Sequence, residues 1–384
     1  MKKIQNNVIA SVAKQSLAFL TVTSLAFGLA ACGDDSSSSS GVGPEENETV
    51  ETTIKAVVFG SDYTTGELRW IDKDNKISKK SLDFFSDSKV AANAGDLYVM
   101  ERMGADNITK IDPEKLESDG KKAVIWQVSL DDDANPTDMV FDGEKAWVAL
   151  QNADSLIQIS TKDGKIAKSI KTGKFAYEGE KSPYVTDLEL ADGKLYALFQ
   201  RYTKDENWNM TYPKGLLAIY DAKSGDLKDT IQLKAKNPSA MTYFDGAIYV
   251  ASMGEYNEFY GTDADDKRGI EKVDLKDKKS EMLVSGEKLG GGVYTFAAED
   301  GVVYVGAYKG SGDVPLMKVA LKDKKVETVK GIADAEGSIA VRDGEVLVGD
   351  RTMGSEKVIQ VKDGKTKDLE SPKGALAPFS IVLF

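Results

Sequence analysis

The chain has 384 residues, 50 basic and 62 acidic, with a formal net charge of −12, one cysteine and no histidine. The charge makes nucleic acid and anionic membrane poor partners, and a single cysteine excludes an intrachain disulfide. Without histidine there is no Ser-His-Asp or Cys-His catalysis and no histidine-bound zinc, copper or haem.

Residues 1–31 carry Lys2, Lys3 and Lys14 and no acid, and residues 16–31 read SLAFLTVTSLAFGLAA. Sixteen uncharged residues fall short of the ~20 that span a bilayer as a helix. The run ends in small residues, so residues 1–31 read as a secretory signal peptide. The four residues Leu29, Ala30, Ala31 and Cys32 resemble the lipobox of bacterial lipoproteins. That resemblance implies cleavage before Cys32, a diacylglycerol on its thiol and a lipid-anchored protein of the bacterial cell envelope. The outer membrane or cell surface is expected ahead of the inner membrane, and a plain signal peptide with a chance cysteine is the alternative. Losing residues 1–31 leaves 47 basic against 62 acidic residues, a formal charge of −15. The lipid, at ~0.8 kcal/mol per buried CH₂, then has to hold the protein to the membrane. Residues 32–53, CGDDSSSSSGVGPEENETVETT, have no apolar side chain except two valines and are expected to form a flexible tether.

Beyond residue 53 the chain repeats itself. NPTDMVFDGEKAWVAL (135–150), SPYVTDLELADGKLYAL (182–198), NPSAMTYFDGAIYVAS (237–252), GVYTFAAEDGVVYVGA (292–307) and GSIAVRDGEVLVGD (337–350) each hold a short apolar run, an Asp-Gly turn and a run rich in Tyr, Val and Leu. Such a turn between alternating runs signals a β-hairpin. A variable loop, a third strand, a charged turn and a fourth strand follow, as in SLIQIS-TKDGK-IAKSI (155–170). The Asp-Gly turns at 142, 192, 245, 300 and 343 are 50, 53, 55 and 43 residues apart, which is the spacing of a β-propeller of four-stranded blades.

The inner strands are expected to begin near Lys89, Pro136, Pro183, Pro238, Val293, Ser338 and Pro378, which makes seven blades over residues 54–384. We number the blades 1 to 7 in that order. Residues 53–84 supply three strands with no inner strand, and the final APFSIVLF supplies an inner strand alone. Together they are expected to form blade 7 and close the ring, which removes open sheet edges. The N-P pair, the Asp-Gly turn, the aromatic second strand and the D-x-x-x-G turn resemble the YVTN-type repeat family of propellers, most strongly in blades 2 to 4. That family shares a fold and an exported location rather than one chemistry, so no functional residue is carried over from it.

Function has to be sought in the loops. Of six arginines, Arg102, Arg201 and Arg351 directly follow second strands and Arg268 ends the long loop of blade 4, so four converge on the face where second-to-third loops open. The two longest loops, 200–215 and 252–269, share that face and carry Tyr202, Trp208, Tyr212, Tyr256, Phe259 and Tyr260, with Tyr63, Tyr308 and Lys309 at matching points of other blades. Aromatic planes beside guanidinium forks suit a sugar ring, a carboxylated ligand or a peptide. The bland alternative is that each arginine pairs with an acid of the next blade to close the channel rim and that the long loops pack their aromatics onto themselves. Trp147, Tyr98, Tyr196, Tyr249 and Tyr304 fall in second strands and are expected in the core.

Two function classes follow. The first is a surface lipoprotein with a non-catalytic binding or scaffold module for a glycan, peptide or envelope protein, using Arg102, Arg201, Trp208, Tyr212, Tyr256, Tyr260, Arg268, Tyr308 and Arg351. The second is an exported lactonase-like or glycan-cleaving enzyme using Glu101, Asp350 and Asp62, with or without a divalent metal. No cofactor is expected, although calcium stays open. Asp72, Asp74 and Asn75 read as a strand-to-strand turn, while Asp263, Asp265 and Asp266 lack the glycine and glutamate of an EF-hand loop. Asp131 to Asp133 read as a solvated connection.

Overall fold

The computed structural model describes residues 53–206, 209–256 and 267–384. The signal peptide, Cys32 and all of the tether except Thr53 lie outside the described residues, as do Trp208, Phe259, Tyr260, Asp263, Asp265 and Asp266.

Every repeat folds into one four-stranded antiparallel sheet, and seven such sheets form a seven-bladed β-propeller. The inner strands are Ser88–Asn93, Pro136–Asp142, Val185–Ala191, Pro238–Phe244, Gly292–Glu299, Ile339–Arg342 and Pro378–Leu383, each starting within two residues of its expected position. Blade 7 is assembled from both ends of the chain. Pro378–Leu383 pairs with Ile54–Ser61, with Val57 opposite Val382, and Gly66–Asp72 and Leu82–Phe84 complete the sheet.

The hairpin turns follow from backbone chemistry. A two-residue turn that matches strand twist needs φ > 0 at both central residues, which Asp-Gly tolerates. Asp192-Gly193, Asp245-Gly246, Asp300-Gly301 and Asp343-Gly344 all adopt it. Blade 2 departs: Asp142 pairs with Lys145, so its turn is Gly143-Glu144 and only Gly143 is left-handed. The DKDNK segment is a turn, with the Asp72 carboxylate accepting the N–H groups of Asp74 and Lys76. Blade 1 replaces the expected charged turn with a 3₁₀ turn, Pro113–Lys115, and a helix, Leu116–Ala123. Asp112 caps that start by accepting the Glu114 N–H, with proline in the first helical position.

The apolar core is divided into seven layers, one between each pair of adjacent blades. Tyr98, Met100 and Ile108 of blade 1 meet Met139, Ala146 and Val148 of blade 2, and Ala56, Val58 and Ile381 of blade 7 meet Leu347, Val358 and Leu369 of blade 6. Strands are therefore apolar on both faces, which is why the second strands read as near-continuous apolar runs. Trp147, Tyr98, Tyr196 and Tyr249 are buried as expected, and Tyr304 is partly buried.

The inner strands leave one edge of unpaired backbone groups facing the axis, and such groups need partners when buried. Hydroxyls supply them from blade to blade. Thr137 donates to Val185 O, Thr186 to Pro238 O, Ser239 to Val293 O and Thr295 to Ala335 O, while Ser338 accepts from Ile381 N–H and Ser380 from Val90 N–H. Carboxylates do the same deeper in the channel: Asp138 accepts from Leu188 N–H, Asp187 from Met241 N–H and Glu189 from Tyr243 N–H. Ile54 starts its strand on the face of the Asp-Gly turns, so the chain enters the propeller opposite the face onto which second-to-third loops open. We term the latter the upper face.

Candidate binding site

The upper-face arginines are each held by the fold. Arg102 Nε donates to Asn135 Oδ1 at 3.0 Å and Nη1 to Asp87 at 3.1 Å, so its acid belongs to the connection into its own blade rather than to the next blade. Arg201, at φ 60°, donates to Phe175 O and lies 5.8 Å from the Tyr177 ring centre. Arg268 is buried, its stem pressed between glycines: a Cβ on Gly286 would fall 2.4 Å from Arg268 Cγ, and one on Gly254 2.9 Å from its Cβ. Arg351 donates to the carbonyls of Ala377, Pro378 and Ser61. The four arginines thus reach one face, where Arg102 pairs with an acid while Arg201 and Arg351 donate to backbone carbonyls, which differs from the acid of the next blade that the bland alternative expects.

Arg102 also opens a relay that the sequence reading missed. Asn135 Nδ2 donates to Gln151 Oε1, Gln151 Nε2 to Gln200 Oε1, Gln200 Nε2 to Asn237 Oδ1, and Asn237 Nδ2 to Gly254 O. The chain of donors runs one way across blades 1 to 4. Its signal was the Asn of each N-P pair and the glutamine ending two second strands, whose register becomes evident only once the blades are stacked.

The aromatic side chains do converge. Tyr184 stacks on Tyr202 at 3.8 Å and 17°, followed by Tyr212 at 5.7 Å, Tyr256 at 6.4 Å, Tyr308 at 6.2 Å and Tyr294, stacked on Tyr308 at 5.4 Å. This arc of six tyrosines spans blades 3 to 5 along the upper face. Tyr212 and Tyr308 form its buried back, whereas Tyr256 and Tyr294 are 40% and 41% exposed. Tyr184 and Tyr294 escaped the sequence reading because they start inner strands rather than lie in the long loops. Tyr184 occupies a position where blades 2 and 4 carry left-handed Asn135 and Asn237, and itself has φ 56°. That conformation is costly for a bulky side chain and clusters at functional sites. Here it is held by the stack on Tyr202 and by a 2.8 Å hydrogen bond from its hydroxyl to Glu180. Burial pushes the Tyr202 hydroxyl up to about 12, so the arc is neutral at ordinary pH.

Beside the outer end of the arc is Glu336, in the short turn Ala335–Gly337 leading into blade 6. Its carboxylate is half-buried and makes no ion pair or hydrogen bond among the described residues. Burial first, then the Asp334 charge, raise it to about 6, against a lowering by Arg351. Its charge in turn raises Tyr256, Tyr294 and Tyr308 behind the larger effect of burial on each.

The carboxylates of the enzyme alternative do not converge. Glu101 is buried and accepts from Phe85 N–H, Asn107 and Gln127. Asp350 accepts from Thr352 N–H, and Asp62 holds its own turn through Thr64 and Thr65. In the channel, burial and then the Asp138 charge push Asp187 well above the ordinary carboxylate range, and burial raises Glu189 to about 7. Lys89 is pushed down by burial and then by Arg102. Among the described residues no three carboxylates group as a metal site would require. Two clefts of about 890 and 1000 Å³ lie at the outer rim between blades, lined by mixed lysines and acids and away from the arc.

Comparison with protein-family models and with curated protein sequences found no match. Solved structures do match across the propeller. AztD from Citrobacter koseri is 12% identical, with a TM-score of 0.52 over 86% of this chain and 98% of its own. A functionally unknown protein from Desulfotomaculum acetoxidans is 12% identical at a TM-score of 0.55, over 86% of this chain and 98% of its own. Hydrazine synthase from Kuenenia stuttgartiensis is 14% identical at 0.55, over 83% and 99%. The chain shares their fold. At these identities fold is all that the likeness carries, and function rests on the upper face.

Proposed function

We propose that the protein is a lipid-anchored envelope protein whose propeller is a non-catalytic binding module, and that the tyrosine arc is the surface that takes a glycan, peptide or envelope-protein partner. The observation that carries this reading is the run of six tyrosines in stacked, tilted or edge contact with two of them open to solvent. Aromatic rings present flat, rigid surface at low entropic cost and suit sugar faces and peptide side chains. The lipobox resemblance at Cys32 supports the anchor, and the N-P, Asp-Gly and aromatic-strand signature of blades 2 to 4 supports grouping the repeats with YVTN-type propellers. Because Ile54 enters on the opposite face, a flexible tether from an anchor at Cys32 would let the arc face away from the membrane.

The test uses arrays of glycans and peptides probed with the full exported protein and with a Tyr202→Ala, Tyr256→Ala, Tyr294→Ala variant of matched melting temperature. Loss of the bound set in the variant is expected, and an unchanged set would overturn the assignment. For the anchor, Cys32→Ser is expected to move the protein from the membrane fraction to the soluble one. A variant that stays with the membrane would refute lipid anchoring at that residue.

A further inference from the structure

We propose that the corner formed by Tyr256, Tyr294, Tyr308 and Glu336 takes an organic cation, an ammonium group carried on carbon. The inference rests on the binding function proposed above and specifies its ligand chemistry. Three ring systems meet there at two different angles: Tyr256 stands at 83° to Tyr308, and Tyr294 lies nearly parallel to Tyr308 at 22°. Faces set at an angle to one another give a compact cation more than one π surface, and cation–π attraction is strongest where water is partly excluded. Tyr308 is buried while Tyr256 and Tyr294 are part-open, so the corner has a dry back and an accessible front.

The charge balance points the same way. Among the described residues, Asp334, Glu336 and Asp350 share this region with Arg351, while Lys309, next to Tyr308, is paired with Asp313 at 3.5 Å. The Arg351 fork is committed to the carbonyls of Ala377, Pro378 and Ser61, and its face to Tyr63 and Phe379. Asp334 is occupied in capping the Glu336 N–H, and Asp350 in capping Thr352 N–H. Glu336 is left as a half-buried carboxylate without an ionic partner among the described residues, and its turn is held to the strand of Tyr294 by the 2.8 Å bond from the Thr295 hydroxyl to Ala335 O. A neutral ligand would leave that deficit in place, whereas an ammonium removes it and meets the ring faces at the same time.

The experiment is a calorimetric titration of the full protein with three probes: choline, Nα-acetyl-lysinamide, and 3,3-dimethylbutan-1-ol, which has the shape of choline without its charge. At least one cation is expected to bind at least tenfold more tightly than the alcohol. Glu336→Gln and Tyr294→Ala should each weaken it at least fivefold, while Arg342→Ala, an exposed residue elsewhere, should not. Preference for choline assigns a quaternary ammonium, and preference for the lysine amide a lysine side chain. Equal binding of the alcohol, no saturable response to either cation, or indifference to both corner variants overturns the proposal. If the array signal persists in that case, the binding module stands and only its ligand chemistry falls.

Discussion

The Arg351 guanidinium lies 5.0 Å from the centre of the Tyr63 ring, joining residues from opposite ends of the chain. From the same position it donates to Pro378 O at 2.9 Å and Ser61 O at 3.3 Å, so one side chain of blade 6 holds both strands that meet in blade 7. Ring closure in this propeller therefore depends on a side chain as well as on the strand pairing of Ile54–Ser61 with Pro378–Leu383.

Arg351→Ala is expected to lower stability by about 2–4 kcal/mol, because it removes the side-chain donor shared by Ala377 O, Pro378 O and Ser61 O and with it a charge-assisted contact. Arg351→Lys should recover less than half, since an ammonium cannot fork to several carbonyls while lying flat on a ring. Urea denaturation followed by fluorescence checks this, and an Arg351→Ala midpoint equal to wild type would refute the closing role.

The hydroxyl ties along the inner edge yield a second expectation. Ser239→Ala and Thr295→Val each leave a partly buried carbonyl, Val293 O or Ala335 O, without its 2.9 or 2.8 Å donor. Each should cost about 1–2 kcal/mol. The two costs should add within error if the ties are independent, as a double-mutant cycle of denaturation midpoints would show.

Channel carboxyls set the pH dependence of stability. Glu189 has its folded value raised to about 7, above the ordinary carboxylate value of 4.5, with burial the largest cause. The folded state then binds more protons than the unfolded state between those values, so stability falls as pH rises through this window. Glu189→Gln removes that dependence, keeps an acceptor for Tyr243 N–H, and should stabilise the protein by about 2 kcal/mol at pH 8 and by almost nothing below pH 4. Thermal melts across pH test the sign, and an effect that grows on acidification would contradict it.

The amide relay predicts a non-conservative cost at a position of modest size. Gln200→Leu breaks the link between Gln151 and Asn237 and leaves a donor on one side and an acceptor on the other. A loss of about 2–3 kcal/mol is expected, compared with under about 0.5 kcal/mol for Gln360→Leu if the charged pair of Lys55 and Glu345 holds that end unaided. Hydrogen exchange of the connections into blades 2 and 4 should report the same break locally.

Blade number, inner-strand positions and the two-ended blade 7 were legible in the sequence because they depend on local rules. Asp-Gly can supply two left-handed residues, and short near-continuous apolar runs between such turns read as strands buried between neighbours. The arginines were correctly placed on the upper face, yet their partners were not legible. Arg102 meets Asp87 and Asn135, and Arg351 meets Ser61 and Pro378, groups brought close only by stacking blade on blade. Tyr212, Tyr256 and Tyr308 could be named from loop composition, while Tyr184, Tyr294 and Glu336 could not, since nothing in a linear repeat says which strand start adjoins which loop. The chain by itself determined the repeating unit and how many times it is used, because turns and strands are short-range matters of φ and burial. Only the closed ring decided which tyrosines touch and that Glu336 is left without a partner among the described residues, because such contacts join residues far apart in the chain, as Tyr256 and Tyr308 are, 52 positions from one another.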